Sequence, residues 1–224
     1  ARGLGSPPEL TVGGLGGQAG LELAKANTAR EVSLSACRAV IRSSASAIRA
    51  VHRLDPQLYD EKIAEAAASL RKAQLATKEF PSIANAGFLH DAEKEYAEAI
   101  LTRALVDSTA LPGPSDLDIG IPAWLNGLAE AASELRRHLL DRLRHDQADM
   151  AETLFVAMQD VYEALLGVDY PDAVTAGLRR STDALRAVLE RTRSDLTTTL
   201  IQLRLQRALD KAGEESLPRG SDTR

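Results

Sequence analysis

The sequence predicts an all-α, single-domain protein, a bundle of six or seven helices. Three observations carry this expectation. Apolar residues recur at three- and four-residue spacing in each long segment, with no sustained period-2 alternation. The chain is 44% hydrophobic but only 4% aromatic, so its core must be built from Ala, Leu, Val and Ile, which pack helices readily. Pro56, Pro81, Pro112, Pro114, Pro122 and Pro171 cut the chain into long pieces that contain no proline.

Taken in order, the elements begin with an expected flexible arm over residues 1–20. Seven of the 15 glycines fall there together with Pro7 and Pro8, and such a segment buries too little apolar surface to order itself. The main domain is expected over 21–212. Its first helix places Leu34, Cys37, Ile41, Ile48 and Val51 on one side. Asp55-Pro56 reads as a helix start, with a capping carboxylate and Pro near the first helical position. Phe88 to Ala99 is helical by pattern, and Leu111-Pro112-Gly113-Pro114-Ser115 is a loop. After Pro122 a stripe runs through Trp124, Leu125, Leu128, Ala132, Leu135 and Leu139. Another holds Leu154, Met158, Val161 and Leu165. Asp169-Tyr170-Pro171 reads as the next start, before a last stripe of Leu185, Val188, Leu189, Thr192, Leu196, Leu200 and Leu203. Residues 213–224 read as a tail. No short repeat points to a solenoid.

Composition excludes several classes. A net charge of −5 excludes a globally basic nucleic-acid coat, though not a local basic stripe. The single cysteine excludes an intramolecular disulfide framework and a Cys-based zinc site, which fits a reducing, cytoplasmic setting. No apolar run approaches the roughly 18–20 residues of a membrane span. The opening residues hold no signal-peptide core and no Met, as expected of a trimmed chain or a fragment. Gly-x-Ser-x-Gly, a phosphate-cradling glycine loop and His-Glu-x-x-His are all missing. His52, His90, His138 and His145 are scattered and read as surface or packing residues, and Cys37 as buried and inert.

Two charged patterns remain. Asp91, Glu95 and Glu98 share one helix face at i, i+4 and i+7, opposite Leu89, Ala92, Tyr96 and Ile100. Like charges so spaced cost a few tenths of a kcal/mol each on an isolated helix. Glu130 and Glu134 form a second acidic pair, with Gly127 one turn earlier on the same face, where another backbone can approach. These acids suit a solvated face, or two crossing helices that aim carboxylates at one point. Oxygen ligands without thiol or imidazole would select Mg²⁺ or Mn²⁺. On the first helix Arg38, Arg42, Arg49 and Arg53 fall within about 60° of one another. They suit a solvated flank of the core stripe or a set of phosphate contacts.

These residues resemble a known family. Glu-Tyr-Ala-Glu-Ala at 95–99 is similar to the Glu-Tyr-Val-Glu-Ala segment of the translin/TRAX family, on its TRAX side. Residues 124–137, Trp-Leu-Asn-Gly-Leu-Ala-Glu-Ala-Ala-Ser-Glu-Leu-Arg-Arg, resemble the family's Tyr-Leu-x-Gly-x-x-Asp-x-x-x-Glu-Leu-x-Arg helix. Lys78-Glu-Phe-Pro81 and Gly167-Val-Asp-Tyr-Pro171 resemble two further family segments, and the order holds over roughly residues 24–210. The compact chain looks most like prokaryotic, archaeal-type members.

The resemblance implies a helical fold that closes into a hollow homo-octamer and binds single-stranded nucleic acid, RNA or ssDNA. TRAX-like members are Mg²⁺-dependent endoribonucleases whose sites face the chamber. Carried over by position, their metal-binding carboxylates are Glu95, Glu98 and Glu130. Glu134 would help from the next turn, and Mn²⁺ is the alternative ion. Translin-like members bind nucleic acid without cleaving it. Glu130 departs from the family pattern, which has Asp there; its extra methylene adds about 1.5 Å of reach. The expectation is a metal-dependent endoribonuclease on single-stranded RNA, its metal activating water and neutralising the scissile phosphate. No His or Lys beside the motif is expected as a base. The alternative is a non-catalytic RNA- or DNA-binding assembly.

Overall fold

Pro56, Pro81 and Pro122 each stand in the first turn of a helix, where the missing N–H costs no helical hydrogen bond. The structure, a computed structural model, describes residues 12–216. Helix α1 (Val12–His52) runs for 41 residues, about 60 Å. It turns at Leu54, whose φ of 57° lies in the left-handed region, into α2 (Pro56–Thr77). Asp55 caps α2, accepting a hydrogen bond from the Leu58 amide at 3.0 Å, with Pro56 in the first turn where no helical N–H is needed. A single turn, α3 (Pro81–Ala84), leads to α4 (Phe88–Val106). After the expected loop come α5 (Ile121–Arg144) and α6 (Ala148–Leu166). The chain closes with a single turn, α7 (Asp172–Thr175), and the 39-residue α8 (Leu178–Ser216). Every element is helical among the described residues, as the periodicity predicts.

Helix α5 is the centre of the bundle, packed on α4, α6 and α8. Leu135 and Leu139 of α5, Leu101 of α4, Met158 of α6 and Leu185 of α8 are fully buried in one apolar cluster. A second cluster joins α1, α2 and α4 through Val40, Ala66, Leu70, Ala73 and Ala92. Helix α4 thus belongs to both layers. The alanines matter here: Ala97, Ala99, Ala131 and Ala132 are fully buried, and their small side chains let the helix axes draw close. Cys37 is buried as expected, and that burial raises its thiol pKa above the ordinary range.

Several expectations differ from the structure. Part of the expected arm, Val12 to Gly20, is helical and extends α1, because adding turns to a formed helix needs no new nucleus. Residues 1–11 lie outside the described residues. So does most of the expected tail, although α8 continues to Ser216. The start expected at Pro171 is only the one-turn α7. Ala176 and Gly177, both at positive φ (50° and 86°), break it before α8 begins at Leu178. Asn126 of α5 donates to the Thr175 carbonyl at 2.9 Å and to that of Pro122 at 2.8 Å, pinning this break to the core. Leu139 is buried in the main cluster, and Leu140 and Leu200 pack against it. Ile201, Leu205 and Leu209, on the far side of α8 from its core stripe, are exposed.

Candidate metal centre

The site begins with a missing side chain. Helix α5 crosses α4 at Gly127, where an added Cβ would stand 2.8 Å from both the Ala97 Cβ and the Lys94 carbonyl oxygen, and 3.1 Å from the Glu98 nitrogen. Only glycine admits that approach. Glu130 lies three residues beyond the crossing on α5, and Glu95 and Glu98 flank it on α4. One carboxylate oxygen of each lies within 4.8 Å of the others.

Electrostatics mark this as an acid-rich spot. Glu98 is 9% exposed, and its carboxyl is pushed up to about 8 by burial first, then by the charges of Glu130, Glu95 and Glu134. The partial offset comes from Lys94. Its ammonium donates to both oxygens of Glu130, at 2.7 and 2.8 Å, and lies 3.4 Å from Glu95. Burial opposes the Lys94 charge, but hydrogen bonding to Glu130 and the charges of Glu130 and Glu95 outweigh it and hold its pKa above the ordinary lysine value.

Glu134 follows a different course from the other three. It hydrogen-bonds His52 Nε2 at 2.7 Å, and the His52 Nδ1 meets His138 Nε2 at 2.9 Å. The His52 bond is the main reason the Glu134 carboxyl sits below the ordinary range. His138 is 6% exposed, and burial, followed by the positive surroundings of His52 and Arg142, lowers its pKa to about 4. The structure therefore joins α1 to α5 through two histidines that the sequence presents as scattered.

Of the sequence-predicted residues, Glu95, Glu98 and Glu130 come together, while Glu134 stands beside them, engaged with His52. Asp91 is exposed in the first turn of α4, outside the group. Arg38, Arg42 and Arg49 are exposed on α1, with Arg49 donating to the Ser46 hydroxyl at 2.7 Å, whereas Arg53, also exposed, lies in the turn just past the end of that helix. No ion pair occupies any of the four among the described residues. Lys94, His52 and His138 were missed. Lys94 carried a signal, since it directly precedes Glu95 and lies one turn before Glu98. His52 and His138, 86 residues apart, carried none.

The donor set fits a hard divalent cation. Three carboxylates converge without thiol, and burial together with their mutual repulsion raises the Glu98 pKa, which Lys94 only partly relieves. The three could hold Mg²⁺ or Mn²⁺ between them.

Comparison with known proteins gives the relationships of the chain. No protein-family model matches it. An uncharacterised protein of Methanocaldococcus jannaschii is 32% identical over 192 residues, spanning 84% of each chain. Among solved structures, the crystal structure of AfC3PO superposes with a TM-score of 0.76 at 29% identity, over 83% of this chain and 96% of that one. AfC3PO in complex with duplex RNA gives a TM-score of 0.74 at the same identity and coverage. Apo-NeC3PO matches with a TM-score of 0.74 over 88% of this chain and all of its own, and at 17% identity speaks for the fold alone. AfC3PO and NeC3PO are translin/TRAX-type complexes, and the motifs at 95–99 and 124–137 lie on the two helices that build the carboxylate group. By fold, motif order and likeness to AfC3PO, the chain belongs to the translin/TRAX family.

Proposed function

We propose that this protein is a metal-dependent endoribonuclease that cuts single-stranded RNA within a closed homo-octamer. The convergence of Glu95, Glu98 and Glu130 at the Gly127 crossing carries the proposal. Mg²⁺ is the proposed ion, with Mn²⁺ as the alternative. When bound, it supplies Lewis acidity that activates water and neutralises charge on the scissile phosphate. The chain's own contribution is positional. The α4–α5 crossing holds the carboxylates in register, and the burial of Glu98 keeps bulk water from screening that member of the group. Glu134, fixed by His52, borders the site from the next turn of α5. The exposed arginines of α1 supply phosphate contacts that are blind to sequence. The exposed row Ile201, Leu205 and Leu209 on α8 supports assembly, because a stripe of that kind is covered in a closed oligomer.

AfC3PO, the relative at 29% identity, has been seen with duplex RNA. RNA as the ligand class follows from that likeness, and the strandedness is the point to test. One observation favours a second reading. Lys94 already engages both oxygens of Glu130, as it would in a site that binds RNA without cutting it. The deciding experiment incubates labelled single-stranded and duplex RNA with the protein in Mg²⁺, Mn²⁺ or EDTA. Cleavage of the single strand that depends on metal is the expected result. Retarded but intact RNA in both metals selects the binding-only reading, and no retardation at low salt removes both.

A further inference from the structure

Lys94 stands out because every direction of its charge is used. An ammonium has three N–H donors. Two meet the oxygens of Glu130 at 2.7 and 2.8 Å, and Glu95 lies within ion-pair distance at 3.4 Å. None is left for an RNA phosphate in this arrangement. The base of the side chain is equally constrained, because the Lys94 carbonyl lies against Gly127 at the closest approach of α4 and α5. The side chain is only 21% exposed, so solvent screens the pair weakly. This is a fixed cation held within the carboxylate group.

Charge counting then limits what else the group can take. Glu95, Glu98 and Glu130 bring three negative charges when ionised, and Lys94 returns one positive charge. One divalent ion makes the group neutral. Two would leave it with two positive charges in a half-buried crossing. Glu134 adds negative charge nearby, but its hydrogen bond to His52 draws it aside, so it is not one of the three converging carboxylates. Glu130 can serve both cations, because each carboxylate oxygen has a second lone pair after bonding Lys94.

We infer that Lys94 takes the place of a second divalent ion, so that the carboxylate group of each chain binds a single metal ion. The inference rests on the metal-site reading above and settles how many ions that site takes. Lys94 also weakens binding of the one ion by electrostatic repulsion.

The test is titration of the metal-free, full-length protein with Mn²⁺, followed by calorimetry and by thermal shift. Wild type is expected to bind one ion per chain at this site. Lys94→Met is expected to bind the first ion about tenfold or more tightly, because a nearby positive charge is gone, and to accept a second. Lys94→Arg keeps the charge and is expected to bind one. Two ions in wild type overturn the inference whether or not the variants fold. So does a folded Lys94→Met with unchanged affinity and unchanged stoichiometry; in that case the metal-site reading survives. Absence of Mn²⁺ binding in wild type and in Glu98→Gln alike, with no metal-induced thermal shift, overturns both.

Discussion

His52 and His138 share a hydrogen bond of 2.9 Å although 86 residues separate them. The pair fastens α1 to α5, and it continues through His52 to Glu134 at 2.7 Å. Burial first, and then the charges of His52 and Arg142, disfavour a cationic His138, and its pKa falls to about 4.

That preference makes the protein sensitive to acid. The folded-state pKa of His138 lies below its ordinary value of 6.5, so its contribution is complete above pH 6.5 and is lost as pH falls towards 4. The loss amounts to about 3 kcal/mol at most. The lowered Glu134 carboxyl adds a loss of the same sign at lower pH. In thermal melts from pH 7 to pH 4, His138→Gln should show a shallower decline than wild type. Parallel declines would remove His138 as the source.

Glu98 works in the opposite direction. Its folded-state pKa of about 8 lies above the ordinary 4.5, so protonation favours the fold; the contribution is complete below pH 4.5 and is lost as pH rises through 8. Glu98→Gln should therefore raise the melting temperature of the metal-free protein, by a margin that widens between pH 5 and pH 8 and reaches a few kcal/mol. The same variant should lose RNA cleavage while still retarding RNA on a gel.

The crossing itself can be tested with one methyl group. Gly127→Ala puts a Cβ 2.8 Å from the Lys94 carbonyl and from the Ala97 Cβ, and both neighbours belong to a packed helix. The helices must separate, at a cost of about 1–3 kcal/mol. Melting temperature should drop and Mn²⁺ affinity should fall with it, since the carboxylates no longer converge. Retained affinity would show that the crossing is not what positions them.

Glu130→Asp changes reach without changing charge. Shortening the side chain by one methylene draws it away from Lys94, whose ammonium in the wild type donates to both Glu130 oxygens. Mg²⁺-dependent cleavage should be kept or raised, whereas Glu130→Gln should lose it, because an amide cannot replace the charge. A single-turnover RNA assay with both variants distinguishes the two, and untouched cleavage in both would separate any activity from this site.

The exposed arginines predict a salt effect. RNA affinity should fall steeply with salt in spite of the net charge of −5. Replacing Arg42 and Arg49 together by Ala should flatten the slope of log affinity against log salt by up to about two phosphate contacts. An unchanged slope assigns both to a solvated face.

Local features were legible in the sequence because they depend on neighbours along the chain. Helical phase alone put Glu95 and Glu98 on one face and Glu130 one turn past Gly127, and a glycine in a helix marks where another backbone can press. Asp55-Pro56 fixed a cap and Pro122 a helix start, since capping uses atoms three or four residues away. The helix that starts just after Pro171 lasts a single turn for the converse reason. Asn126, on another helix, holds the Thr175 carbonyl, and two left-handed residues then restart the chain at Leu178.

What only the tertiary structure decided is which charges meet. Periodicity gives the direction of a side chain but not the element it faces, and ionisation depends on that neighbour and on burial. Lys94 reads as one more surface cation in a run of acids, yet the α4–α5 crossing brings Glu130 to its ammonium. His52 and His138 read as isolated residues, yet packing of α1 on the bundle joins them and sets the protonation of His138. Glu134 has the same spacing from Glu130 as a ligand would, and His52 draws it aside. Hydrophobic phase determined the helices; the distances between carboxylate, ammonium and imidazole, on which the chemistry depends, came from how those helices cross.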